Sequence, residues 1–273
     1  MVKPYLRQFD FYLLVPCYNN LPGLILSLKS VVYDYDKFAV LVIDDGSSEI
    51  IDIACLKSQL CEGLHLEIIR IPENSGITKA LNTGLKYLGE KNNFEFIARL
   101  DCGDICASER FYLQTAYLRD NPGIDLVGSW CIFKDFSTGF NYQYRTPTKH
   151  EEIKKGMHFR NIFIHPTVMW RKDALEKTRS YPEEFPHAED YGFFYRFLNN
   201  GRCAVIPENL VTCEINHRGI SIGFRKQQLQ SRIKVVRQYG KNKIWSMLGI
   251  CKLWVLMSIP YPIVLRAKKL FFG

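Results

Sequence analysis

The sequence predicts an α/β chain built on a doubly wound, mostly parallel sheet, and three observations predict it. Short apolar runs of strand length alternate with stretches of helical periodicity through the first half. That β-α-β-α-β order implies parallel strands joined by crossovers. Two of the runs end in acidic turns, Asp44-Asp45-Gly46-Ser47-Ser48 and Asp101-Cys102-Gly103-Asp104, and open sheets of this kind bind ligands beyond the carboxyl ends of their strands. With 273 residues and 47% hydrophobic content, the chain can bury one large core carrying an appendage.

Phe11 to Val15 is a short apolar run stopped by Pro16, as a buried strand should be. Leu21, Leu24, Ile25, Leu28, Val31 and Val32 then recur at helical spacing, with Asn20 as the cap and Pro22 in the first turn. Phe38 to Ile43 is the second strand and Leu66 to Ile71 the third. Ile77, Ala80, Leu81, Leu85 and Leu88 mark the helix after it. Phe94 to Leu100 is the fourth strand and delivers Asp101 at its end. A helix from about Ser108 closes at Asn121-Pro122-Gly123, and Asp125 to Trp130 reads as a fifth strand. In the less regular second half, Asn161 to Met169 is apolar, Glu189 to Asn200 is helical, and Cys203 to Ile206 and Leu210 to Ile215 read as two strands.

The formal charge of +8 hides an asymmetry: twelve Lys or Arg and no Asp or Glu follow Glu214, so residues 1–214 carry 24 basic and 28 acidic side chains. The basic character belongs to the tail. Trp245, Met247, Leu248, Leu253, Trp254, Val255 and Leu256 are interleaved there with Lys252, Arg266, Lys268 and Lys269. The longest charge-free stretch, Leu253 to Leu265, has 13 residues and contains Pro260 and Pro262, too short to span a bilayer. An interfacial segment on an anionic membrane surface is the expectation. Nine cysteines without a CxxC pair, and an N-terminus without an apolar signal core, place the main domain in a reducing compartment on the cytoplasmic side.

Carboxylates gathered in one crevice repel one another unless a cation or a donor-rich ligand sits between them. The first turn, Pro16-Cys17-Tyr18-Asn19-Asn20, has neither a GxGxxG nor a GxxxxGK[ST] loop, which argues against dinucleotide oxidoreductases and P-loop enzymes. A divalent cation held by Asp101 and Asp104, Mn²⁺ or Mg²⁺, would supply the charge that a bound diphosphate needs.

In order along the chain, Val15-Pro16-Cys17-Tyr18-Asn19, Ile43-Asp44-Asp45-Gly46-Ser47, Asn74-Ser75-Gly76 with Ala80 and Asn82, Arg99-Leu100-Asp101-Cys102-Gly103-Asp104-Ile105, and His187-Ala188-Glu189-Asp190 resemble the family 2, GT-A-fold glycosyltransferases of bacterial surface polysaccharide assembly. The resemblance implies a GT-A domain over residues 1–225, with a nucleotide-binding half at about 10–130 and an acceptor half at about 131–225, followed by a basic, apolar helical extension at 226–273. It implies that Pro16 and Tyr18 meet the nucleotide, Tyr18 by stacking on the base, and that Asp45 accepts from base or ribose. Asn74 and Lys79 would reach base or phosphates, and His217 and Arg218 would close over the diphosphate. Asp104 becomes the main metal ligand and Asp101 a ribose or water-mediated metal ligand. The position of Gly103 is commonly aspartate in the family, so one contact is missing here. Asp190 is the expected general base, Glu189 orients the acceptor, and His165 touches it.

The expected function is inverting transfer of a hexose, glucose or galactose, from a UDP-sugar to a polyprenyl-diphosphate-linked saccharide in O-antigen or capsule assembly. The enzyme would lie peripherally on the cytoplasmic face of the inner membrane, with no nucleic-acid partner. A dTDP-rhamnose donor is an open alternative. So are a sugar-phosphate nucleotidyltransferase, which would want a Gly-rich basic loop where Pro16 to Leu21 stands, and a non-enzymatic RNA- or membrane-binding protein acting through its tail.

Overall fold

Apolar strands set the centre of the molecule. The computed structural model describes residues 8–60, 63–215, 223–260 and 263. β1 (Phe9–Cys17) and β2 (Phe38–Asp44) are buried almost throughout, because helices cover both faces of the parallel unit they form with β3 (His65–Arg70) and β4 (Phe94–Arg99). Tyr12 and Leu14 of β1 face one core, shared with α3 (Ile77–Gly89) and α7 (Glu189–Asn200). Phe11, Leu13 and Val15 face the other, shared with α1 (Leu21–Lys29), α2 (Ile53–Gln59) and α4 (Arg110–Asp120). The period-two alternation of one strand thus feeds two helical layers. As expected, Asn20 caps α1, accepting from the Gly23 N–H at 3.1 Å.

The sheet order is β3-β2-β1-β4-β8-β6-β9-β5, with β7 (Asn141–Tyr144) on β6 (Leu126–Lys134). The fifth run does not lie beside β4. Between them runs β8 (Met169–Arg171), antiparallel to both, three residues too short to show a period. β9 (Cys203–Glu214) is one strand where the sequence suggested two. Its register against β6 shifts around Ser129 to Cys131, which lets a strand absorb the polar break at Glu208-Asn209. β5 (Ile105–Cys106), α5 (His150–Met157) and α6 (Ala174–Thr178) complete the second half.

α8 (Arg225–Tyr239) and α9 (Lys243–Ser258) follow. Val235 and Val236 of α8 belong to the main core, while Leu229 and Ile233 meet Leu253 of α9. A Cβ at Gly249 would overlap the His158 carbonyl oxygen, so α9 lies directly on the chain leaving α5. Among the described residues, no helix is long and apolar enough to cross a membrane.

Candidate active site

The carboxyl ends of β2, β1 and β4 carry the site, and backbone bonds stitch their turns together. The Asn19 N–H donates to Ser47 Oγ at 2.9 Å, and the Ser48 N–H donates to Asn19 Oδ1 at 2.8 Å. Tyr18 follows β1 and is 48% exposed, a free ring at the crevice rim rather than a core aromatic. Pro16 is buried inside β1, where its carbonyl accepts from the Cys102 thiol. It shapes the strand end and offers no exposed surface to a ligand.

Asp44 and Asp45 are both buried, and their bonds divide the work. Asp44 holds its own turn: it accepts from the Ser47 N–H and pairs with Arg70 at 2.6 Å. Asp45 accepts from the Ser75 and Gly76 N–H groups, one on each oxygen, both at 2.9 Å. It thereby ties the Asn74 to Gly76 turn to the strand end, leaving one lone pair per oxygen for a ligand. Asn74 closes that turn on the Gly76 N–H and is exposed, as is Lys79 in the first turn of α3. His217 and Arg218 lie outside the described residues.

The second acidic turn is pinned to α1 by one hydroxyl. Ser27 Oγ donates to the Asp101 carbonyl at 3.0 Å and accepts from the Gly103 N–H at 2.9 Å. The Asp101 side chain is 39% exposed and pairs with Arg99, which is fully buried and also donates to the Leu14 carbonyl at 2.7 Å. Behind Arg99 stands His165, whose Nε2 accepts from Arg99 Nε at 3.4 Å and lies 2.8 Å from the Tyr181 hydroxyl. Burial, with the Arg99 charge, pushes the His165 pKa down to about 3, so the ring is neutral. His165, expected to touch the acceptor, props Arg99 and through it Asp101.

Asp104, the expected metal ligand, is only 7% exposed and accepts from the Glu214 N–H at 2.9 Å. Burial, with the Asp101 charge adding, pushes its pKa up to about 8. The missing family aspartate has a neighbour the sequence did not single out. Gly103 has φ +103°, and a Cβ built on it would stand 2.7 Å from Glu214 Oε2. The exposed Glu214 carboxylate, from the end of β9, therefore sits where a side chain at 103 would begin. Its separation of 110 residues from Asp104 hides it from any local motif; the antiparallel pairing of β5 with β9 brings the two together.

Glu189 and Asp190 open α7, where the helix dipole favours negative charge. Asp190 Oδ2 accepts from the Asn161 amide at 2.8 Å, and Oδ1 accepts from the Tyr191 N–H at 2.7 Å. Burial raises its pKa, while Arg232 of α8 and those two donors pull it back. Glu189 is 8% exposed, and its Oε2 is buried with no partner. Burial first, and the Asp190 charge second, push the Glu189 pKa up to about 8. The Asp101 charge bears on both residues. Asn161 and Arg232 are further residues that sequence reasoning missed; the mid-helix Arg beside Leu229, Ile233 and Val236 was the available signal.

Among the described residues, no three His, Cys, Asp or Glu side chains converge as a preformed metal site. Two exposed carboxylates, Asp101 and Glu214, are nevertheless a donor set that Mg²⁺ or Mn²⁺ accepts when diphosphate oxygens supply the remainder. The residues fit a divalent cation.

Parallel strands, a strand-end aromatic, an acidic turn after β4 and a carboxylate pair on a later helix now stand together. The glycosyl transferase family 2 model matches residues 12–179. The chain belongs to that family. The amylovoran biosynthesis glycosyltransferase AmsE of Erwinia amylovora is 31% identical over 207 residues, 74% of each chain. The UDP-Gal:alpha-D-GlcNAc-diphosphoundecaprenol beta-1,3-galactosyltransferase of Escherichia coli is 25% identical over 138 residues, 50% of this chain and 48% of the relative. Among solved structures, the mannosyltransferase PcManGT from Pyrobaculum calidifontis, in complex with GDP-Man and Mn²⁺, superposes with a TM-score of 0.64 over 92% of this chain and 69% of its own, at 18% identity. That likeness establishes the GT-A fold of this glycosyltransferase. The family match ends before Glu189, so the roles of the α7 pair rest on geometry.

Proposed function

We propose that this glycosyltransferase transfers a hexose, with inversion, from a UDP-sugar to a lipid-linked saccharide during surface polysaccharide assembly. The observation that carries the reading is the combination of an acidic turn after β4, whose Asp101 is held by the buried Arg99, with the Glu189 and Asp190 carboxylates at the start of α7, on which the Asp101 charge bears. The names of the amylovoran and diphosphoundecaprenol relatives support the polysaccharide and lipid-linked parts.

Tyr18 stacks on the base, with the Asp45-braced turn and Lys79 beside it. Asp101, fixed by Arg99, and Glu214, standing in for a carboxylate at 103, face the diphosphate. Asp104 holds the turn by anchoring β9. Asp101 and Glu214 would hold a divalent cation, which when bound would supply positive charge for the diphosphate leaving group. Environments that split two carboxylates assign their roles. Asp190 has donors on both oxygens and Arg232 nearby, so it is the member of the pair that can stand ionised and take the acceptor proton. Glu189, with no donor on Oε2, keeps a proton and offers it as a hydrogen bond to the acceptor. The sugar's anomeric carbon is then attacked while it carries oxocarbenium character.

The test is a panel of nucleotide sugars, dTDP-rhamnose included, with Mn²⁺ or Mg²⁺ and a short lipid-linked acceptor, read as nucleoside diphosphate release. Turnover with a UDP-hexose that EDTA abolishes and Mn²⁺ restores is the expected result. Turnover of dTDP-rhamnose alone rejects the donor, and indifference to EDTA rejects the cation.

A further inference from the structure

A cleft of about 350 Å³ lies away from the crevice, between the end of α5, the middle of α7 and the junction of α8 with α9. Its floor holds His158 Nε2, a polar atom without a hydrogen-bond partner, and the Tyr195 hydroxyl, on residues that are 4% and 2% exposed. The Tyr195 hydroxyl interacts with that of Tyr191, so His158 Nε2 is the atom left wholly unmet. His158 Nδ1 lies 3.0 Å from the Lys154 carbonyl oxygen and 3.3 Å from that of Lys155, which only an Nδ1–H satisfies. A neutral ring with that tautomer presents a lone pair at Nε2. Unmet buried polar atoms are costly unless a ligand meets them.

The rim completes a chemical signature. Lys154, Lys155 and Lys241 line the cleft, with Lys155 Nζ 4.4 Å from the centre of the Trp245 ring. Three ammonium groups and a phenol donor ask for an anion. Glu151, also on the rim, and the His158 lone pair ask for hydroxyl donors. A bare phosphate leaves the acceptors unmet, and a neutral sugar leaves the lysines unmet; a phosphodiester carrying hydroxyls satisfies both. The cleft also adjoins an apolar stripe. Ile244, Met247, Leu248, Trp254 and Val255 of α9 are exposed at helical spacing, and Trp245 bridges the stripe to the cleft.

We propose that this cleft binds the headgroup of an anionic phospholipid with a polyol head, phosphatidylglycerol in type, whose acyl chains run along Ile244, Met247 and Leu248. The site rests on the reading of α9 as a helix lying on the membrane surface and places the enzyme on lipids of one headgroup class. The experiment measures binding of the full chain to vesicles of phosphatidylcholine alone, or mixed with phosphatidylglycerol or with equally charged phosphatidylserine. Phosphatidylglycerol should be preferred. Lys155→Gln and Lys241→Gln should each weaken that binding about fivefold, the factor matching about 1 kcal/mol per surface cation. Tyr195→Phe should erase much of the preference for phosphatidylglycerol while binding to phosphatidylserine vesicles is unchanged, a split that a mere loss of stability would not give. Ile244→Ser with Met247→Ser should weaken binding to every vesicle. Equal binding to both anionic lipids, unmoved by the three cleft variants, overturns the cleft while leaving α9 on the membrane. Absence of binding to any vesicle overturns the membrane reading and the cleft with it. Soluble dihexanoyl-phosphatidylglycerol should quench Trp245 fluorescence, judged against Trp245→Phe, whereas equal quenching by glycerol 3-phosphate would overturn a lipid ligand.

Discussion

Adjacent carboxylates with different surroundings open α7: Asp190 has donors on both oxygens and Glu189 has none on Oε2. Asp190→Asn keeps the bond to Asn161 but removes the proton acceptor, so transfer should fall by about 10² or more with donor binding unchanged, measured as kcat against donor Kd. Glu189 gives a stability signature instead. Its ordinary pKa of 4.5 rises to about 8 in the fold, so the unfolded chain releases the proton first as pH rises. Stability from this group is therefore greatest below pH 4.5 and declines between about 4.5 and 8. At about 1.4 kcal/mol per pKa unit this amounts to a few kcal/mol. Glu189→Gln should flatten that slope and raise the melting temperature more at pH 8 than at pH 5; equal slopes in both proteins would refute the assignment. Glu214→Gln should weaken Mn²⁺ affinity for the UDP-bound enzyme, measured by titration calorimetry. The positions of Tyr18 and the acidic turns were legible because they follow strand ends. Glu214, Arg232 and Arg99 carry no role in the chain read locally, since each acts through a contact that only the folded sheet creates.

At the scale of elements, α1 is the clamp on the acidic turn, and the clamp is Ser27. Its hydroxyl is fully buried and is shared between the Asp101 carbonyl and the Gly103 N–H. Ser27→Ala strands both groups, at a cost of about 1–3 kcal/mol each where water cannot reach. The expected outcome is a lower melting temperature together with a raised KM for the donor, since Asp101 and the Gly103 cradle beside Glu214 would lose their fixed spacing. A stability loss without any change in KM would make Ser27 purely structural. The strong elements of the first half were legible because buried parallel strands and amphipathic crossovers write long periods. β8, three residues long, and β5, two residues long, write none. Yet β8 seats the second half beside β4, and β5 brings Glu214 to Asp104. The short strands that sequence reading misses are the ones that join the first and second halves of the sheet.

For the whole molecule, the charge asymmetry resolves into two helices with different duties. α8 is part of the catalytic body: Val235 and Val236 lie in the main core, and the Arg232 charge bears on Asp190. α9 adds Leu253 to a small satellite core and leaves its apolar stripe exposed. Burying one such leucine contributes about 1.5–3 kcal/mol, so losing α9 should be survivable where losing α8 is not. Two truncations separate the duties. Deleting Asn242 to Gly273 should lower the melting temperature modestly, release the enzyme from anionic vesicles, and spare transfer to a short soluble acceptor. Deleting Arg225 to Gly273 should abolish transfer to any acceptor, because Asp190 loses the nearby Arg232 charge and α7 its packing. Cosedimentation with anionic vesicles and nucleoside diphosphate release, run on both proteins, distinguish these outcomes. Undiminished vesicle binding by the shorter deletion would move the membrane surface off α9, since twelve cations follow Glu214 and only five of them lie beyond residue 241. The seven basic residues at 218–241 would then be the surface that meets the lipid.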